Sequence, residues 1–208
     1  MGYFIDKHNK FTVYNVPKIG STTIRSWIAY AGTGSLQLQG SDQYYHENPE
    51  AFKLLNEWGY TCDWFSEFEG ESICVKRDPV KRFISCYDDK VVKENRLPGV
   101  SLDEFLDNPW EIIEKMDKPL EDNKYIGYLY YHFVPQAKHL GKNYDYYTKV
   151  FDIKELNTEG KKFFESKWGI ELPDLVCRSN PKKKTTLNEE QLAKVKALYA
   201  EDYQIGWS

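Results

Sequence analysis

An apolar, β-branched run, Phe11-Thr12-Val13-Tyr14-Asn15-Val16, leads directly into Pro17-Lys18-Ile19-Gly20-Ser21-Thr22-Thr23, and then into Ile24 to Tyr30, which reads as a helix start. The near-continuous apolar run suits a central parallel strand. A strand that turns through a tight polar loop into a helix therefore commits this part of the chain to an α/β arrangement. The same turn is suited to gripping a phosphate, because backbone N–H groups and the helix N-terminus converge on it. The loop adds one lysine, one glycine and three consecutive hydroxyls. It is not a Walker A loop: G-x-x-x-x-G-K-[ST] is absent, and the lysine precedes the glycine.

A second signal follows about sixty residues later, where Ser72 to Lys76 reads as a buried strand ending at Arg77-Asp78-Pro79. Pro79 falls in the first turn of the next helix, where a missing N–H costs nothing. Ser85 lies about two helical turns beyond Arg77, on the face of Val80 or Lys81. An arginine fork and a hydroxyl placed this way can converge on a second phosphate. The plainer reading of Arg77-Asp78-Pro79 is a surface turn with a local ion pair. Further along, Asn48 to Gly59 reads as a helix, Ser101-x-x-Glu104 and Asn188-x-x-Gln191 have capping-box spacing, and Thr158 is the expected cap of a helix carrying Phe163, Phe164 and Trp168. Tyr147 to Ile153 reads as a third strand. Strands alternating with helices indicate α/β with a mainly parallel sheet.

Composition narrows the partners. A net charge of −4 gives no general basic surface for nucleic acid. At 208 residues, 41% apolar and 29% charged, the chain fits one ordinary globular domain. No apolar run is long enough to cross a membrane, and Met1 to Lys7 lacks a signal-peptide core, so a soluble or cytoplasmic protein is expected. Cys62, Cys74, Cys86 and Cys177 have no metal-site spacing; Cys74 and Cys86 read as small core residues. Aromatics reach 16%, which means mainly packing, with a groove for a ring-shaped acceptor as the sharper alternative.

Taken in order, Pro17-Lys18-Ile19-Gly20-Ser21-Thr22-Thr23 and Arg77-Asp78-Pro79-Val80-Lys81-Arg82-Phe83-Ile84-Ser85 resemble the P-K-x-x-x-[ST]-[ST] and R-D-P-x-x-R-x-x-S segments of sulfotransferases that use 3′-phosphoadenosine 5′-phosphosulfate. The resemblance is to the Golgi-type carbohydrate enzymes, including the heparan sulfate 2-O-sulfotransferase group. His132-Phe133-Val134-Pro135-Gln136, Val150 to Leu156 and Tyr199-Ala200-Glu201-Asp202-Tyr203 are similar to further segments of that family. The resemblance implies a single sulfotransferase domain over residues 1–208. It implies a P-loop-like three-layer fold, with a central, mainly parallel sheet flanked by helices. Golgi members carry a membrane anchor and this chain does not, so a soluble member is expected.

For the site, the resemblance implies that Pro17, Lys18, Gly20, Ser21, Thr22 and Thr23 hold the 5′-phosphosulfate, and that Arg77 and Ser85 hold the 3′-phosphate. Lys184 and Thr185, in the basic loop Arg178 to Thr186, are similar to a segment that closes over the nucleotide; a solvated charge run is the alternative. Arg82 is expected to pair with Asp78. Lys18 is the expected catalytic cation. The candidate general bases are His46, by its position between the two signals, with a surface or helix-start histidine as the plainer reading, and His132, with a structural role as its alternative; Glu47 is a third choice. His8 and His139 read as surface residues. The expected product is 3′-phosphoadenosine 5′-phosphate, with no metal involved. The acceptor is a hydroxyl, on a glycan or a small molecule. The competing readings are a P-loop nucleotide kinase-like phosphotransferase and a catalytically silent nucleotide-binding module.

Overall fold

A computed structural model of the chain describes residues 2–6, 8–34, 60–61, 70–116, 128–175 and 184–208. The chain divides into two compact units, Met1–Lys76 with Asp145–Ser179, and Arg77–Tyr144 with Asn180–Ser208.

The first unit is built on the sheet. Strands β1 (Gly2–Asp6) and β2 (Phe11–Asn15) form an antiparallel hairpin. Its turn is closed by Asp6, whose carboxylate accepts the N–H groups of His8 at 3.0 Å and Asn9 at 2.9 Å, the usual way an aspartate stabilises a reversal. After β2 comes helix α1 (Ser21–Thr33). Strands β3 (Tyr60–Thr61), β4 (Glu71–Lys76) and β5 (Lys149–Asp152) complete the order β3-β1-β2-β4-β5. The pairs β2–β4 and β4–β5 are parallel, and β1 is antiparallel to both of its neighbours. It follows that β3, β2, β4 and β5 run in one direction and only β1 opposes them.

The fold is α/β, with an open, mostly parallel sheet flanked by helices, as the alternation of elements predicts. Pleating puts Phe11, Val13, Ile73, Val75 and Phe151 on one face, and all are buried. Rings from α1 and from helix Lys161–Trp168 cover this face: Phe11 meets Phe164 at 5.9 Å and Trp168 at 6.0 Å, and Trp27 meets Phe164 at 6.0 Å. On the opposite face Tyr147 packs edge-on to Tyr14, with centroids 5.2 Å apart.

The second unit begins at Arg77 and continues as helix α2 (Pro79–Tyr87). Asp78 is its N-cap, accepting the Lys81 N–H at 2.8 Å, and Pro79 occupies the first turn as expected. Replacing Asp78 by alanine should lower stability by about 1 kcal/mol in a denaturant titration. The helix runs on, widening into a π turn, Asp88–Lys93, up to the break at residues 95–99 that Asn95-Arg96-Leu97-Pro98-Gly99 predicts. Both predicted capping boxes form, at Ser101 with Glu104 and at Asn188 with Gln191. An aromatic core of Phe83, Phe105, Phe133 and Tyr199 holds the unit, with Phe105 and Phe133 centroids 4.9 Å apart.

Several local expectations are corrected. The hairpin strand β1 has no counterpart in the sequence reading. Helix α1 runs about a turn past Tyr30 to Thr33 and ends at Gly34 in the left-handed region, inside the glycine-bearing stretch from Ala31 that the sequence offers as its stop. Thr158 caps no helix: it lies within a π turn, Leu156–Gly160, and its hydroxyl donates to the Glu155 carbonyl. The expected helix Asn48 to Gly59 lies outside the described residues.

Candidate active site

Both candidate anion-binding segments follow the carboxyl ends of parallel strands, where open α/β sheets bind their ligands. The first leaves β2. Val16, Pro17 and Ile19 are sunk into the core, and Lys18, between the last two, is only half-buried. Lys18 has φ 69, a left-handed conformation that costs a lysine of order 1 kcal/mol and that the buried neighbours impose. Gly20 is the N-cap of α1, with no side-chain cap, and the first turn carries no acidic residue. The 13-residue helix thus presents its positive end without a carboxylate competing for it. Ser21 and Thr22 are half-buried and Thr23 is buried.

Gly20 has two reasons to be glycine. Its φ is +91, and a Cβ there would lie 2.5 Å from Leu156 Cδ2. The Val150 to Leu156 segment therefore backs the loop: β5 ends at Asp152, Ile153 N–H donates to the Lys76 carbonyl at 2.9 Å, and Leu156 is buried against Gly20. Gly20→Ala should cost roughly 1–2 kcal/mol from the left-handed backbone alone. A thermal melt should show this loss, and an unchanged midpoint would contradict it.

The second segment begins where β4 ends. Arg77 is half-buried, and its backbone is held on both sides by one side chain. Gln136 Oε1 accepts the Arg77 N–H at 3.0 Å, and Gln136 Nε2 donates to the Arg77 carbonyl at 2.8 Å. Ser85 is half-buried on α2. One turn further on, Asp88 Oδ1 accepts both the N–H of Thr185 at 3.1 Å and its hydroxyl at 2.5 Å. The Thr185 end of the basic loop is thus fastened to the helix that carries Ser85, with Lys184 beside it exposed.

Arg82 is fully buried. Its guanidinium donates to the Val134 carbonyl at 2.8 Å and the His132 carbonyl at 3.0 Å, while the Asp78 carboxylate caps the helix. His132 is half-buried, its ring edge-on to Tyr131, and its carbonyl also accepts from the Cys86 thiol at 3.1 Å. His46 and Glu47 lie outside the described residues. His139 is a correction: it is buried rather than at the surface, with a ring nitrogen 3.0 Å from the Tyr131 carbonyl. Burial, with repulsion from the Arg82 charge, pushes its pKa down from 6.5 to about 3. A depressed folded-state pKa stabilises the neutral ring. That contribution is complete above about pH 6.5 and is lost as the pH falls toward about 3. His139→Gln should accordingly flatten the fall in stability across that window, measured as unfolding midpoints against pH.

The sequence assigns Gln136 and Asp202 no role beyond the similar segments they belong to. Asp202 is fully buried; its carboxylate oxygens accept the N–H groups of Gln136 at 2.9 Å and Ala137 at 2.7 Å. Burial raises its pKa, and those two N–H groups and the Arg82 charge oppose the rise. Among the described residues there is no cluster able to hold a metal ion, and no helix long and apolar enough to cross a membrane.

The model of the family described as "Sulfotransferase family" matches residues 1–205, and the chain belongs to that family. Among solved structures the chain is similar to a sulfotransferase from Alicyclobacillus acidocaldarius, at 14% identity over 94% of this chain and 93% of that one, with a TM-score of 0.49. No curated protein matches the chain.

Proposed function

We propose that the chain transfers a sulfuryl group from 3′-phosphoadenosine 5′-phosphosulfate to a hydroxyl acceptor, a carbohydrate by preference, by in-line displacement. Residues 1–208 act as one sulfotransferase domain in this reading, which the continuous family match supports. The observation that carries it is the first loop. An uncapped helix N-terminus free of acidic residues, a glycine fixed at φ +91 and a lysine held at φ 69 suit a terminal anionic group. The donor supplies an activated sulfuryl group.

The acceptor oxygen forms a bond to sulfur while the bond from sulfur to the bridging oxygen of the 5′-phosphate breaks. The acceptor proton passes to a base, and the leaving 5′-phosphate keeps the electron pair. The chain's part is positioning and charge stabilisation, as in phosphoryl transfer. Lys18 neutralises charge on the leaving oxygen, with the N–H groups and hydroxyls of residues 20–23 beside it. Pro17 fixes the entry to the loop. Arg77 and Ser85 bind the 3′-phosphate, and Lys184 and Thr185 lie over the nucleotide. His46 is the assigned base and His132 the alternative. In pH–rate profiles of His46→Ala and His132→Ala, the variant that loses the acidic limb identifies the base.

Calorimetric titration with 3′-phosphoadenosine 5′-phosphate, AMP and ATP tests the donor. Preference for the 3′,5′-bisphosphate is expected. Tighter, magnesium-dependent binding of ATP would instead favour a nucleotide phosphotransferase. Release of the bisphosphate from the donor on adding glycans, tyrosine peptides or small alcohols identifies the acceptor. Binding without release in any arm would leave a catalytically silent module.

A further inference from the structure

Gln136 is a fully buried amide whose side chain bonds to backbone groups of Arg77 and Trp207. It opens the short helix Gln136–Leu140, directly after Pro135. Its Oε1 accepts from the Arg77 N–H, and its Nε2 donates to the carbonyls of Arg77, at 2.8 Å, and Trp207, at 2.9 Å. This two-way exchange with Arg77 is what a neighbouring strand would provide. It comes one residue beyond the last residue of β4. Gln136 is itself fixed, because the Asp202 carboxylate holds the N–H groups of residues 136 and 137. A chain of hydrogen bonds, Asp202 to Gln136 to Arg77, thus sets the peptide planes on both sides of the arginine.

We infer that Gln136 is a positioning residue that orients Arg77 for the 3′-phosphate and thereby sets discrimination for 3′-phosphorylated nucleotides. The inference rests on Arg77 being a 3′-phosphate ligand. A guanidinium fork binds phosphate through directed hydrogen bonds, so its backbone anchor matters as well as its charge. Gln136→Glu keeps an acceptor for the Arg77 N–H and loses the donor to the two carbonyls. Gln136→Leu fills similar space and loses all three bonds.

The test is calorimetric titration of wild type, Gln136→Glu, Gln136→Leu and Arg77→Ala with 3′-phosphoadenosine 5′-phosphate and with AMP. Wild type should prefer the bisphosphate, and Arg77→Ala should lose that preference. The Gln136 variants should reduce the ratio of the two affinities about tenfold, as expected for a lost buried hydrogen bond, with AMP affinity unchanged. Gln136 variants that keep the full wild-type ratio, where Arg77→Ala loses it, would overturn this inference alone. Equal binding of both nucleotides by wild type would overturn the 3′-phosphate reading and this inference with it. Hydrogen exchange on the wild-type protein is a check that needs no variant to fold. The Arg77 amide should be strongly protected without nucleotide, and an unprotected amide there would overturn the clamp.

Discussion

Lys18→Ala is expected to lower turnover by about 10²–10³-fold while leaving affinity for 3′-phosphoadenosine 5′-phosphate nearly unchanged. The reason is local. Pro17 and Ile19 anchor the loop in the core on either side of Lys18, so truncating the lysine removes its charge and leaves the loop pinned. The left-handed backbone at φ 69 is as strained for alanine as for lysine, so backbone strain is not relieved by the change. A cation needed mainly as charge builds on the leaving oxygen lowers the barrier rather than strengthening ground-state binding. Turnover numbers and calorimetric dissociation constants for the same variant separate the two. A loss of rate that follows entirely from lost affinity would remove Lys18 from the role proposed for it.

The largest expected loss of stability comes from Arg82→Leu. The guanidinium is fully buried, holds the carbonyls of His132 and Val134, and acts electrostatically on Asp202, which is buried too. Its removal leaves two interior carbonyls without these donors and a carboxylate without a compensating charge. Breaking one side of such a buried arrangement costs about 3–5 kcal/mol. For a chain of this length that corresponds to a fall of roughly 6–20 °C in the melting midpoint. A shift under about 2 °C would mean that the turn at residues 132–134 is held by other contacts. Arg82 stands in the same segment as Arg77, but its hydrogen bonds to the His132 and Val134 carbonyls give it an interior, architectural task.

What could be read in advance was what is encoded over a few residues. The strand, loop and helix around Gly20 were legible because the turn, the hydroxyls and the apolar run sit side by side in the chain. The cap at Asp78-Pro79 and both capping boxes were legible for the same reason: a cap and its partner are three residues apart. Gln136 was not, since its partner Arg77 lies 59 residues away, and Asp202 lies 66 residues from the amide it holds. Only folding brings such pairs together, and no local pattern announces them. The space at Gly20 is set by Leu156, which is more remote still in sequence. His139 was misplaced because a lone histidine beside Lys138 carries no periodic mark of burial. Strand β1 went unread because a five-residue apolar stretch ahead of a turn looks like an ordinary chain terminus.

Trp207 gives the second unit an unexpected dependence. Its ring is fully buried, its indole N–H donates to the Gly141 carbonyl at 3.1 Å, and its own carbonyl takes the remaining Gln136 hydrogen. Loss of Trp207 would take that carbonyl from Gln136 and with it part of the support beneath Arg77, the arginine proposed to bind the 3′-phosphate. Damage at Trp207 would then surface, on the proposed reading, as weakened preference for a 3′-phosphorylated nucleotide.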